Sequence, residues 1–346
     1  MTPPDVLALM PKAELHLHLE GTVSPKTLWG MAARNHMSLP AASLAELKTL
    51  YRFESFDKFM ELWLAMCACF RTPADYEHMV DAYVAECEKH NVRYVEAHFT
   101  PYNHERFGFG GARALEIVTR HLRAAEAAGG PVTRLILDIT ADAAVESGRF
   151  TLDLLEREAN PLVVALGLGG PEEGFPRRLV APFFHRARDA GYPTVAHAGE
   201  TDGAEQVREA VNDLKVRRIQ HGVRAVEDPA TVALLAERDI CCDVALTSNE
   251  HLTPFKNLAE HPIKALLAAG VPVSLGSDDP PFFGTDLTRE YHRAHEEVGL
   301  DVSELWQINL NGLRYGLGET VTRRRLMHDF LAAGQKLGLR ATRSAR

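Results

Sequence analysis

Glu14-Leu15-His16-Leu17-His18-Leu19-Glu20-Gly21 alternates polar and apolar residues with a period of two. On an extended strand alternate side chains share a face, so His16, His18 and Glu20 point one way and the leucines the other. In a barrel this places two imidazoles inside and leucines against an outer layer of helices. Imidazole is a common ligand for zinc and similar metals, yet buried histidines often only satisfy hydrogen bonds. The His-x-His pair therefore needs company elsewhere in the chain.

Further short apolar runs alternate with helical patterns on the C-terminal side. With Ala13–Leu19 as the first, the strand candidates are Arg93–Phe99, Thr133–Thr140, Leu162–Leu168, Thr194–Ala198, Arg218–Gly222, Ile240–Leu246 and Val271–Leu275. Amphipathic segments such as Pro176–Ala190, Gly203–Leu214, Asp228–Arg238 and Pro262–Ala269 separate them. Eight strands with intervening helices are what a closed (β/α)8 TIM barrel of the α/β class needs. The 346 residues, 46% hydrophobic, are enough for such a core in one domain over residues 1–346. Extra helices follow the last strand. The gap between the first two strands is abnormally long and reads as a helical insertion at about 24–91, with helices near Pro25–Asn35, Phe56–Phe70 and Pro73–His90. Long βα connections lie on the catalytic face of a barrel. Tyr51, Phe53, Phe56, Phe59, Met60 and Trp63 could therefore form a lid, or simply pack as helix residues.

Composition narrows the function. Against 38 Lys+Arg stand 47 Asp+Glu, a formal charge of −9, which argues against nucleic acid as the main partner. The basic stretch Arg323 to Arg346 reads as a solvated helix and a frayed tail. Five cysteines without a Cys-x-x-Cys pair indicate neither a disulfide framework nor a thiolate metal site, and Cys241-Cys242 reads as strand packing. With no membrane-length apolar run and no cleavable leader, a cytoplasmic protein is expected; its oligomeric state is left open.

The remaining polar residues gather where a barrel enzyme keeps its chemistry. Strand five ends in His197-Ala198-Gly199-Glu200, strand six in His221-Gly222, and strand eight in Ser277-Asp278-Asp279-Pro280. Each stands at the C-terminal end of an expected strand. Such a set is hard to explain as packing, because unpaired buried charges are costly.

Together, His16-x-His18, His197-Ala-Gly-Glu200, His221-Gly222 and Ser277-Asp278-Asp279-Pro280 resemble the adenosine/adenine deaminase family of the amidohydrolase superfamily, in order over about Pro11 to Leu317. The resemblance implies a divalent metal ion held by His16, His18, His197 and Asp278 with one coordination position open. Zinc is the default, and iron or manganese would suit the same ligands. Metal-bound hydroxide would attack C6 of a 6-aminopurine, with ammonia leaving. Glu200 would hold the proton given to N1, His221 would orient the water as base or electrostatic stabiliser, and Asp279 would bond the purine near N7. His18 and Glu20 would border the substrate, Glu20 at the ribose side. Gly167 to Pro176 extends the resemblance, with Gly170 offering its backbone N–H to the ring. Binuclear relatives bridge two metals through a strand-four lysine; Pro161 to Gly167 contains none, so a single ion is expected.

Two departures bear on substrate. Adenosine deaminases typically have Leu-Asp-Gly where this chain has Leu19-Glu20-Gly21, whereas adenine and aminodeoxyfutalosine deaminases often carry Glu there. At strand seven Ala245-Leu246-Thr247-Ser248-Asn249 replaces Cys-Pro-Thr-Ser-Asn; none of the named catalytic groups lies there, so catalysis need not suffer and a different pocket wall is expected. The reading that results is a hydrolytic deaminase of adenosine-like nucleosides, then of aminodeoxyfutalosine (an adenosine with a bulky 5′ extension), then of adenine. A non-catalytic binding barrel is the alternative of a different class.

Overall fold

The computed structural model describes residues 1–53, 55–157 and 160–340. Its eight strands are β1 (Lys12–His18), β2 (Val92–Phe99), β3 (Val132–Thr140), β4 (Val163–Gly169), β5 (Val195–Ala198), β6 (Arg218–His221), β7 (Cys241–Val244) and β8 (Val273–Leu275). All pair in parallel, as two four-stranded sheets in the orders β1-β2-β3-β4 and β5-β6-β7-β8. Single bridges join the halves at both seams, Leu17 with Asp278 and Leu166 with Thr194. At the first seam the His18 N–H donates to Asp278 O at 2.9 Å and the Asp278 N–H to His16 O at 3.0 Å. The barrel expected from the strand count is thus formed, and its last seam is tied by the residues that carry the chemistry.

The period-two reading of β1 holds as far as His18, where the strand ends; Glu20, expected on the same face, instead begins a 3-10 turn over Glu20–Thr22. Leu15, Leu17 and Leu19 are fully buried in the outer hydrophobic core, each contributing about 1.5–3 kcal/mol. Inside the barrel, Ile136, Ala165 and Val195 form a separate small apolar cluster. Another inward layer is ionic. Arg218 on β6 donates Nε–H to Asp243 at 2.8 Å and also binds Glu96 on β2. His16, His18 and His197 cluster with Asp278 at the C-terminal strand ends.

The segment between β1 and β2 is helical as expected, over Pro25–Arg34, Phe56–Ala68 and Pro73–Lys89, with a further helix at Leu44–Leu50. Ser24, Ser43 and Ser55 each accept the N–H three residues on, which fixes where three of these helices begin. Strand seven is shorter than the apolar run Ile240–Leu246 predicted, because a helix starts at Leu246 and runs to Leu252. Beyond β8, helices Val302–Arg314 and Thr320–Lys336 close the described chain. Arg324 and Arg325 are exposed on the last helix, as a solvated face requires, while Arg343 and Arg346 lie outside the described residues. Among the described residues no helix is long and apolar enough to cross a membrane.

A candidate metal centre and active site

His16, His18, His197 and Asp278 come from β1, β5 and the turn after β8, and their ligand atoms all lie within 4.8 Å of one another. His18 Nε2 is 3.0 Å from His197 Nε2, and Asp278 Oδ1 is 3.5 Å from both His16 Nε2 and His18 Nε2. Two backbone carbonyls orient the rings. His16 Nδ1 meets Asp243 O and His197 Nδ1 meets Leu168 O, each at 2.7 Å. A carbonyl only accepts, so each ring carries its proton on Nδ1 and turns a bare Nε2 lone pair to the centre. His16 Nε2 is buried without a hydrogen-bond partner. Burial holds the His16 and His197 imidazoles down at about 3 and His18 well below its ordinary value, so all three are neutral. Three neutral imidazoles and one carboxylate suit a divalent cation such as zinc.

The other expected groups surround the same point. His221 and Asp278 are non-glycine residues with positive φ, 65° and 61°. Such backbone costs about 1–3 kcal/mol and persists where surrounding structure imposes it. His221 Nε2 lies 3.4 Å from Glu200 Oε1 and 3.9 Å from Asp278 Oδ2. Burial, with Asp278 and Glu172 nearby, raises the Glu200 carboxyl well above the usual range. Asp279 is raised likewise by burial and by Asp278. A Cβ at Gly21 would stand 1.8 Å from Asp279 Oδ1, so this carboxylate has its place only because residue 21 is glycine.

A cavity opens over this cluster. His18, His197, Glu200, His221, Asp278 and Asp279 form its polar floor, and Gly170 stands in the wall at φ 94°. Of the six lid candidates, Phe56, Phe59, Met60 and Trp63 face the cavity, and Trp63 packs on the His18 ring at 5.7 Å. Tyr51 and Phe53 do not line it. They pack on Phe282 and Phe283, and the Tyr51 hydroxyl donates to Val23 O at 3.2 Å. Glu20 is fully buried behind the wall, where Oε1 accepts the Thr100 N–H at 2.8 Å and Oε2 has no partner. Thr100 and Asn103, not Glu20, reach the cavity surface.

Four functional neighbours were missed in the sequence. Asp138 lines the cavity, accepts from His98 Nδ1 at 3.0 and 3.1 Å, and approaches His18 Nδ1 at 3.9 Å. Both lie on inward positions of their strands, so the alternation that exposed His16 and His18 could have exposed them. Glu172 accepts three successive N–H groups, from Glu200, Thr201 and Asp202, at 2.9, 2.9 and 3.0 Å. Arg177 braces Glu172 at 3.2 Å and the His197 carbonyl at 2.7 Å. No local pattern announces that clamp, because its partners are far along the chain. In the strand-seven stretch the departures from the family pattern are Ala245 and Leu246, whereas Asn249 is shared with it, and the Asn249 side chain contacts His221 Nδ1 at 2.9 Å. The helix starting at Leu246 turns Asn249 back beneath β6.

Comparison with known proteins agrees with this geometry. The family model described as adenosine deaminase matches residues 11–332. The chain is 39% identical to the aminodeoxyfutalosine deaminase of Streptomyces coelicolor over 309 residues, covering 89% of this chain and 80% of that one. The adenine deaminase of Arthrobacter aurescens superposes with a TM-score of 0.89 at 30% identity, over 94% of this chain and 99% of that one. An amidohydrolase of Burkholderia ambifaria with bound Zn superposes with a TM-score of 0.87 at 26% identity, over 97% and 94% of the two chains. The seven polar groups at the barrel mouth and the match over nearly the whole chain lead to one conclusion: this protein belongs to the adenosine deaminase family.

Proposed function

We propose that this chain hydrolyses the exocyclic C6 amine of a 6-aminopurine nucleoside of the adenosine type, releasing ammonia. The observation that carries it is the meeting, at one cavity, of the His16/His18/His197/Asp278 set with Glu200, His221 and Asp279. A divalent ion bound by that set supplies Lewis acidity and brings the pKa of a water towards neutrality. Glu200 holds the proton that N1 needs before C6 accepts a nucleophile. His221 orients the attacking water, and Asp279 bonds the purine edge near N7. Gly170 lets the flat base approach the backbone, since a Cβ there would crowd Ala141 N at 3.2 Å and add bulk at the wall. Glu20 holds Thr100 in the wall on the side assigned to the sugar.

No Lys or Arg lines the cavity among the described residues, so a 5′-phosphate would find no cationic partner. That disfavours mononucleotides. A second reading, a nucleoside with a bulky 5′ extension, is favoured by the relative named aminodeoxyfutalosine deaminase and by the apolar wall of Phe56, Phe59, Met60, Trp63 and Leu252.

The test is ammonia release by metal-analysed protein on adenosine, 2′-deoxyadenosine, adenine and aminodeoxyfutalosine, compared as kcat/KM. A nucleoside is expected to lead. Turnover of free adenine alone would overturn the nucleoside assignment, and silence on all four would overturn the deaminase reading.

A further inference from the structure

His221 sits among the metal-ligand histidines, with its ring 4.5 Å from that of His16, and its Nε2 belongs to a second potential ligand group with Glu200 and Asp278. Position alone therefore leaves its role open between metal ligand, base and hydrogen-bond donor. A chain of hydrogen bonds behind it decides between them. The Ile263 backbone N–H donates to His261 Nδ1 at 3.2 Å. An amide N–H only donates, so Nδ1 of His261 carries a lone pair and the proton of that ring is on Nε2. That Nε2–H faces Asn249 Oδ1 at 3.3 Å, which makes this the oxygen of the amide. The Asn249 NH2 then faces His221 Nδ1 at 2.9 Å and donates to it. Turning the amide over would set two donors against each other at His261. Asn249 and His221 are essentially without exposure, and His261 is nearly so, so water has no room to relieve that clash.

We propose that Asn249 and His261 are positioning residues that fix His221 with its proton on Nε2, making it a hydrogen-bond donor in the reaction rather than a base or a metal ligand. This rests on the active-site reading above. His16 and His197 show the opposite arrangement: their Nδ1–H groups bond carbonyls, and bare Nε2 atoms face the centre. One cluster thus holds two tautomers, each set by the partner of Nδ1. The Nε2–H of His221 points between Glu200 and Asp278, where it can donate to the oxygen that attacks C6.

The proton can be located directly. In metal-loaded protein labelled with 15N-histidine, long-range 1H–15N correlations distinguish the tautomers, and a His221→Gln sample assigns the signal. Wild type is expected to show His221 protonated on Nε2 with a bare Nδ1. Asn249→Asp presents an acceptor only; it should place a proton on Nδ1 and lower kcat by about 10²-fold with little change in KM. His261→Leu should give a mixture of tautomers, whereas His261→Gln, which keeps an N–H donor, should restore the wild-type signal. A wild-type His221 protonated on Nδ1 would overturn the proposal, and so would an Asn249→Asp protein that keeps the Nε2–H tautomer. If Asn249→Asp fails to fold, the wild-type spectrum and the His261 pair decide alone. An Nε2–H His221 in a protein that deaminates no 6-aminopurine would sink the proposed function and leave the proton assignment standing.

Discussion

Two clusters of buried charge lie within the same barrel and are built on opposite plans. In the inner one, Arg218 stands between Glu96 and Asp243, with Ser274 donating to Asp243 at 2.7 Å. Burial pushes Glu96 up and Arg218 down, but their mutual attraction outweighs it, leaving Glu96 below and Arg218 above the ordinary values. Asp243 stays raised because burial outweighs its partners there. The cluster at the mouth has four carboxyl groups, Asp138, Glu200, Asp278 and Asp279, no lysine or arginine in its lining, and burial raises all four. A buried ionic group is satisfied either by a cation from the chain or by one from outside. The inner cluster took the first course and became scaffold. The mouth was left for the second. The two touch at Asp243, whose side chain binds Arg218 and whose carbonyl orients His16.

Four measurements would break or sharpen this contrast. The largest effect is expected from Glu200→Gln, which removes the proton donor and leaves the ligand set intact. kcat should fall by about 10²–10⁴-fold with metal content unchanged, and a fully active variant would refute the assignment. Next comes Arg218→Met, which strands Glu96 and Asp243. A loss of about 3–5 kcal/mol in urea unfolding is expected, and an unchanged midpoint would show that the inner cluster is not held by its cation. Asp138→Asn should weaken zinc binding by about 10–100-fold through loss of the carboxylate facing His18 Nδ1, read by competition titration of the metal-free protein. Equal affinity would remove Asp138 from the metal's support.

The last test is acidification of the metal-free protein. His16, His197 and His261 have folded pKa values of about 3, below the ordinary 6.5. Between those values the unfolded chain binds more protons, so this stability is present above 6.5 and is lost as pH falls towards 3. Glu96, whose pKa is depressed, contributes its loss only when pH drops below the ordinary carboxylate range. Glu14, raised to about 7, and the raised Glu200, Asp278 and Asp279 carboxyls act in the opposite sense, stabilising the fold as pH falls towards the ordinary carboxylate range. The histidine contribution is therefore read from the rings themselves: their 15N shifts should stay those of neutral imidazole as pH falls through 6.5, and protonation near 6.5 would mean that the histidines are not held neutral by the fold.

The fold and the list of chemical groups were legible before any coordinates, for a physical reason. Strand alternation is a local property, so Glu14 to His18 reveals which side of β1 carries polar groups into the barrel and which packs on the outer core. The ends of β5 and β8 likewise show a polar group breaking an apolar run. Boundaries were less legible: Ile240–Leu246 is uniformly apolar, yet only Cys241–Val244 pairs as strand before a helix begins. What the sequence by itself determined is that His16, His18, His197, Glu200, His221, Asp278 and Asp279 meet at the barrel mouth, though it left Asp138 unnoticed. What only the tertiary structure decided is how each is held: Glu172 gathering the Glu200 loop, Asn249 behind His221, and Glu20 behind the wall rather than in it. Those contacts join residues far apart in the chain. Hydrogen-bond direction and proton position depend on the partner that folding delivers, and neither leaves a periodic trace in the sequence.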